Sequence, residues 1–188
     1  SVKQGFWREV EDEFRGIELS GKTVGLVGYG RIGKKMARYC LAFGADVKIT
    51  DPNVISDNED IERIDLDDLL RVSDIVCIHV HLDEDTKDMI SKREFQLMKK
   101  GSYFLNTARG GIVDESALIE SLETNHLAGA AIDVISNEQS PDLSNHPMIV
   151  FARENTKLLV SPHIAGLTVD SQRKAALFAV NEIESHFK

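Results

Sequence analysis

Lys22-Thr23-Val24-Gly25-Leu26-Val27-Gly28-Tyr29-Gly30-Arg31-Ile32-Gly33 is the stretch whose reading decides the fold. Lys22 to Gly28 reads as a buried β-strand, a short apolar run closed by glycine. Gly28 to Gly33 spells G-x-G-x-x-G, a weak pattern on its own. It gains meaning directly after a predicted strand and at the head of a predicted helix. Gly28 permits a tight turn, Gly30 lets the backbone approach a pyrophosphate, and Gly33 lets the helix lie close to the sheet. The helix, Ile32 to Phe43, sets Ile32, Met36, Ala37, Cys40 and Leu41 on one face and stops at Gly44. Its unpaired N-terminal amides would meet the phosphates. A second strand, Asp46 to Thr50, ends at Asp51, about 20 residues past the glycines, where an acid accepts hydrogen bonds from a ribose. A carboxylate there repels an extra 2′-phosphate, which favours NAD over NADP.

Working outward, strands and helices alternate. A helix at Leu66–Val72 is capped by Asp65, and Ile75–Val80 is a near-continuous apolar strand of the kind found in parallel sheets covered on both faces. Ser91 and Glu94 form a capping box for a helix ending near Lys100. Tyr103–Asn106 is a strand, and Asp114 caps a helix through Thr124. Strands at Ala128–Val134 and Leu158–Val160 follow. From Thr168 onward, Ala176, Ala179, Val180, Ile183 and Phe187 recur at helical spacing. This alternation predicts a doubly wound, mostly parallel α/β sheet with helices on both faces.

The 188 residues suit one domain. A net charge of -9 disfavours nucleic acid and anionic membranes as partners. No apolar run is long enough to span a bilayer, and residues 1–5 do not resemble a secretory signal. Cys40 and Cys77, the only cysteines, sit in apolar stretches and read as buried free thiols of a reducing, cytoplasmic compartment. No metal site is read.

Loops just past successive strands carry the candidate chemistry. They are Asn106-Thr107-Ala108-Arg109-Gly110, the segment holding Asp133 and Glu138, and Pro162-His163-Ile164-Ala165-Gly166. Arg109 can grip a substrate carboxylate with two prongs. His163 can take a hydroxyl proton while hydride leaves the same carbon. Glu138 can orient the imidazole and support its protonated form. Spacing alone leaves structural roles for these residues equally open.

Four ordered stretches, GIELSGKTVGLVGYGRIG, NTARGGIVDESAL, HLAGAAIDV and SPHIAG, cover much of the chain. In them the chain resembles the NAD-binding domain of the D-isomer-specific 2-hydroxyacid dehydrogenases, the family that includes D-3-phosphoglycerate dehydrogenase. The resemblance implies a Rossmann-type domain binding NAD, within an oxidoreductase that interconverts a D-2-hydroxy acid and a 2-oxo acid. It makes Arg109 the substrate-binding arginine, His163 the acid/base and Glu138 its partner. Arg31 and Ile32 would lie against the pyrophosphate. Thr107, Ala108 and Asp133 would line the nicotinamide, with Asp133 near its carboxamide and Ala165 and Gly166 beside the ring. Val80, closing its strand, joins Gly28, Gly30, Gly33 and Asp51 among the cofactor-binding residues, and Arg109 and His163 would touch the cofactor as well as the substrate.

The chain departs from that family in places. His81, read as a solvent-facing loop residue, replaces a usual proline. Glu138-Gln139 stands for the usual Glu-Pro, which loosens the loop around Glu138. The run Phe151 to Lys157 is longer than in phosphoglycerate dehydrogenase. Residues 1–188 read as one cofactor domain of a two-domain enzyme, lacking the substrate domain and inactive alone. The apolar cluster of Val2, Phe6 and Trp7 suggests a homodimer interface. A second reading is an NAD(H)-sensing, corepressor-like interaction module, which needs the glycines and the acid but not the arginine, glutamate and histidine.

Overall fold

The structure is a computed structural model and describes residues 16–53 and 60–187. Seven parallel strands form one sheet in the order β3-β2-β1-β4-β5-β6-β7. They are β1 (Thr23–Val27), β2 (Asp46–Thr50), β3 (Ile61–Arg63), β4 (Ile75–Ile78), β5 (Tyr103–Asn106), β6 (Gly129–Ile132) and β7 (Leu158–Val160). The helices are α1 (Arg31–Ala42), α2 (Leu66–Val72), α3 (Lys92–Leu97), α4 (Glu115–Glu123), α5 (Pro147–Glu154) and α6 (Val169–His186). β1 pairs with both β2 and β4, so the strand order reverses at the crevice beside β1. Open α/β sheets bind ligands at that switch point.

Alternation along β1 divides the core. Val24 and Leu26 pack with Ala37 and Cys40 of α1 and with Val47 and Ile49 of β2. Val27 turns to the other face and joins Leu69 and Leu70 of α2, Phe95 of α3 and Leu118 of α4. Phe95 and Phe104 meet edge to face there, with ring centroids 5.2 Å apart. Coverage is unequal. On the α1 side, Leu159 of β7 is 68% exposed, so among the described residues the expected burial of both faces holds near β1 and fails toward β7.

Several local readings change. The short helix Pro147–Glu154 and the strand Ile61–Arg63 escape the sequence analysis. One is only eight residues long, and the other is a three-residue edge strand with a single buried side chain. The apparent extra loop at Phe151–Lys157 therefore begins as the last turn of α5. Asp65 occupies the cap position of α2, but its side chain makes no capping hydrogen bond. Asp114 does cap α4, accepting from the amides of Ser116 and Ala117. Gly44 stops α1 in the left-handed region at φ +78°, and its N–H reaches Leu41 O at 2.9 Å. The helical reading of α6 holds, yet none of its residues is buried, and Phe178 and Ile183 are exposed. Val2, Phe6 and Trp7 lie outside the described residues.

Cys40 and Cys77 are free and buried. Burial, aided by Cys40, pushes the Cys77 thiol up to about 12, so it carries almost no thiolate near neutrality.

Gly25 lies inside β1, where α2 comes close. A Cβ there would sit 2.3 Å from Ser73 Oγ and 2.5 Å from Leu69 Cδ2. Gly25→Ala should therefore overpack the sheet–helix contact and cost about 1–3 kcal/mol. A lower urea midpoint with unchanged slope in equilibrium unfolding checks this.

Candidate functional site

All strands are parallel, so the segments leaving β1, β2, β4, β5, β6 and β7 emerge at one edge of the sheet. At β1 the glycine turn has the geometry its sequence demands. Gly28 has φ +97°, and a Cβ on it would lie 2.7 Å from the His79 carbonyl oxygen and 2.9 Å from Val80 Cγ1. A side chain is excluded there, and Val80 packs directly against the turn. A Cβ on Gly33 would lie 2.2 Å from Gly28 O, which lets α1 start against the turn. A Cβ on Gly30 would meet nothing within 4 Å. The space that a side chain would fill is open, at the head of a 12-residue helix whose N-cap, Gly30, offers no capping side chain. Arg31 and Ile32 are exposed beside it. An open cradle of free amides suits a pyrophosphate.

Asp51 stands across the crevice. Its Oδ2 accepts from the Tyr29 amide at 2.8 Å and its Oδ1 from the Asn53 amide at 2.9 Å. The carboxylate thus ties the end of β2 to the glycine turn. Among the described residues, each oxygen keeps a second lone pair for a ribose hydroxyl.

At β5 the buried Asn106 builds the next loop. Its Oδ1 accepts from the Ala108 amide at 3.0 Å, and its Nδ2 donates to Arg109 O at 2.9 Å. Thr107 and Ala108 are held in that turn. The exposed Arg109 guanidinium folds back to donate to Ala108 O at 2.6 Å.

β6 and β7 deliver the remaining groups. His163 Nδ1 lies 2.8 Å from Glu138 Oε1. A carboxylate can only accept, so Nδ1 carries the hydrogen and Nε2 is left to exchange a proton. His163 sits in the left-handed region at φ +51°, as does Asn137, beside Glu138, at φ +53°. A cavity of about 470 Å³ borders the pair, walled by Gln139, Leu143, Ile149, Arg153 and Pro162.

The resemblance assigns Asp133 to a nicotinamide carboxamide, and the structure gives its carboxylate another task. Oδ1 accepts from Ser161 Oγ and from the Ile164 amide at 3.0 Å, and Oδ2 accepts from the Ala165 amide at 2.8 Å. Asp133 therefore holds the loop that carries His163, with Ala165 and Gly166 in it, and retains one acceptor position on Oδ2. Burial pushes its carboxyl upward, but the Ser161 hydroxyl, the two amides and the nearby His163 outweigh burial and hold it below the usual carboxylate range. Ser161 and Asn106 are positioning residues that the sequence reading left unassigned. The neighbouring motif was their only signal. His81 lies exposed on the β4 loop, its carbonyl accepting from Thr86 Oγ1. Among the described residues no cluster of His, Cys, Asp and Glu could hold a metal, and no helix is long and apolar enough to cross a membrane.

Residues 1–165 match the family described as D-isomer specific 2-hydroxyacid dehydrogenase, NAD binding domain. The chain belongs to this family as its NAD-binding domain. It is 38% identical to the glyoxylate reductase of Thermofilum pendens over 188 residues, covering 97% of this chain and 54% of that protein. It is 36% identical to the D-3-phosphoglycerate dehydrogenase of Archaeoglobus fulgidus, covering 97% of this chain and 34% of that one. The crystal structure of D-lactate dehydrogenase from Aquifex aeolicus, complexed with NAD and lactic acid, superposes with a TM-score of 0.85 at 30% identity, covering 99% of this chain and 59% of that one. The chain thus spans between a third and three-fifths of the length of these relatives. Its cofactor is NAD, and the open amide cradle at Gly30 fits it.

Asp133 gives this site an acid sensitivity of definite sign. A carboxyl whose folded value is depressed stabilises the fold fully above its unfolded value, and that contribution is lost as pH falls through the folded value. Asp133→Asn should accordingly be less stable than wild type at pH 7, and the difference should shrink as pH falls below about 4. Urea unfolding of both proteins across pH 3–7 measures it.

Proposed function

We propose that this domain works within a longer two-domain enzyme that interconverts a D-2-hydroxy acid and a 2-oxo acid. The observation that carries the proposal is the hydrogen bond between His163 and Glu138. It lies at the same sheet edge as an exposed arginine and a dinucleotide cradle. When bound, NAD supplies or accepts the hydride at the substrate's C2.

Arg109 swings from Ala108 O to fork the substrate carboxylate and polarise the oxo group. His163 Nε2 delivers a proton to the oxo oxygen during reduction and takes it back in oxidation. Glu138 keeps the imidazole in the tautomer and orientation that this transfer requires. Asp133 secures the loop beneath His163, and Asp51 accepts the ribose hydroxyls of the cofactor. Thr107, Ala108, Ala165 and Gly166 border the nicotinamide.

An NAD(H)-sensing interaction module would need the cradle and Asp51 alone, so the His163–Glu138 pair favours the enzyme. The proposal includes a cytoplasmic homodimer paired through this domain, which sedimentation of the full-length protein tests.

Asp51 should make NADH bind at least tenfold more tightly than NADPH, a difference of about 1.4 kcal/mol. Calorimetric titration of the two cofactors reads the preference, and Asp51→Ala should narrow it. Equal affinities in wild type would remove Asp51 from the ribose.

In the full-length enzyme, His163→Ala should lower the rate of 2-oxo acid reduction on the order of a hundredfold while leaving NADH affinity nearly intact. Arg109→Ala should chiefly raise the KM for the oxo acid. The 188-residue chain alone should bind NADH without turnover, because Arg109 is exposed and His163 half-exposed in it. Steady-state kinetics with a panel of 2-oxo acids decides the matter. Full activity of His163→Ala, or turnover by the isolated chain, would overturn the assignment.

A further inference from the structure

The segment from Ile135 to Glu138 has no regular secondary structure, and Gln139 denies it the restraint of a proline. Its backbone is nonetheless gripped at one residue from both sides. The Ser136 N–H donates to Glu115 Oε1 at 2.6 Å. The Ser136 carbonyl lies 3.0 Å from His146 Nε2. His146 is the N-cap of α5, and its Nδ1 accepts the Met148 amide at 3.3 Å. That bond leaves Nδ1 without a hydrogen, so Nε2–H is the donor to Ser136 O. The same Nε2 lies 3.6 Å from Glu115 Oε2. Both side chains are largely buried, at 16% and 11% exposure, which makes these bonds costly to leave unmade.

The clasp also joins the two halves of the candidate site. Glu115 opens α4, which follows the Arg109 loop through the 3-10 turn Gly110–Ile112. A Cβ on Gly110 would lie 2.1 Å from the Ile135 carbonyl carbon and 2.4 Å from the Ser136 nitrogen. The backbone after Arg109 and the backbone before Glu138 are therefore in direct contact, and Glu115 bonds across that contact. Two residues beyond the gripped Ser136, Glu138 reaches His163 at 2.8 Å.

We infer that Glu115 and His146 are positioning residues for the acid–base pair, clasping Ser136 so that Glu138 is held against His163 at a fixed distance from the Arg109 loop. The inference rests on the reading of His163 and Glu138 as that pair. A displacement of about 1 Å in such a group costs on the order of a hundredfold in rate. Partial loosening should cost about tenfold.

The test uses Glu115→Ala, Glu115→Gln and His146→Ala. In the full-length enzyme, Glu115→Ala should lower kcat about tenfold and leave the KM for the oxo acid and for NADH within about twofold. Glu115→Gln keeps an oxygen for the Ser136 amide and should recover most of the rate. In parallel, hydrogen exchange on the 188-residue chain should show amides 135–139 opening about tenfold faster in Glu115→Ala and in His146→Ala, with β1 and β4 unchanged. Unchanged exchange in that segment, or a uniform loss of protection throughout the sheet, would overturn the clasp. Failure of Glu115→Gln to recover the rate would do so too. If wild-type full-length protein reduces no 2-oxo acid, the proposed function fails, while the exchange measurement still decides whether the clasp exists.

Discussion

Parallel hydrogen bonding is the constraint from which the rest of this molecule follows. Each strand from β1 to β7 must leave the sheet at the same edge, because every ladder is parallel. The glycine turn at Gly30 and the loop of His163, 133 residues apart in sequence, are thereby gathered on one rim with the loops between them. The crevice beside β1, where the strand order reverses, opens on that rim. Neither the cradle at Gly30 nor the pair of His163 and Glu138 would share a surface in an antiparallel sheet with hairpin connections.

Loops on a rim are not rigid by themselves, and here carboxylates stiffen them. Asp51 takes the Tyr29 amide, Asp133 takes the amides of Ile164 and Ala165, and Glu115 takes the Ser136 amide. In each case an acid from one loop or helix end binds the backbone of another. Charge-assisted bonds of this kind are shorter and stronger than neutral ones. The acids that read as ligand-binding in sequence thus also act as internal struts. For Asp133 the strut dominates, since three of its four acceptor positions are already taken.

The two faces of the sheet are not equivalent. On the side of α2, α3 and α4 the core is continuous, running from Val27 to Leu158. On the side of α1 the core among the described residues centres on β1 and β2 and reaches Ile61 of β3 and Cys77 of β4, while Leu159 stays exposed. α6 contributes no buried residue, although Leu177, Phe178 and Ile183 lie along it. The well-packed side supports the rim loops of β5 and β6, which carry Arg109 and Glu138.

Local chemistry made much of this legible in the sequence. The glycine turn announces itself because only glycine tolerates φ +97° against the His79 carbonyl, and the strand and helix around it follow from apolar periodicity. Arg109 and His163 could be singled out because each falls within an ordered motif past a strand, and Glu138 because it follows the strand between them. The sequence could not show the short elements β3 and α5, whose few residues give periodicity nothing to count. Nor could it show that Asp133 holds the loop of His163, or that Glu115 and His146 meet at Ser136. Those facts depend on which backbone amide lies opposite which oxygen across separations of 10 to 32 residues. Side-chain type and spacing carry no record of that distance, so only the tertiary structure decided it.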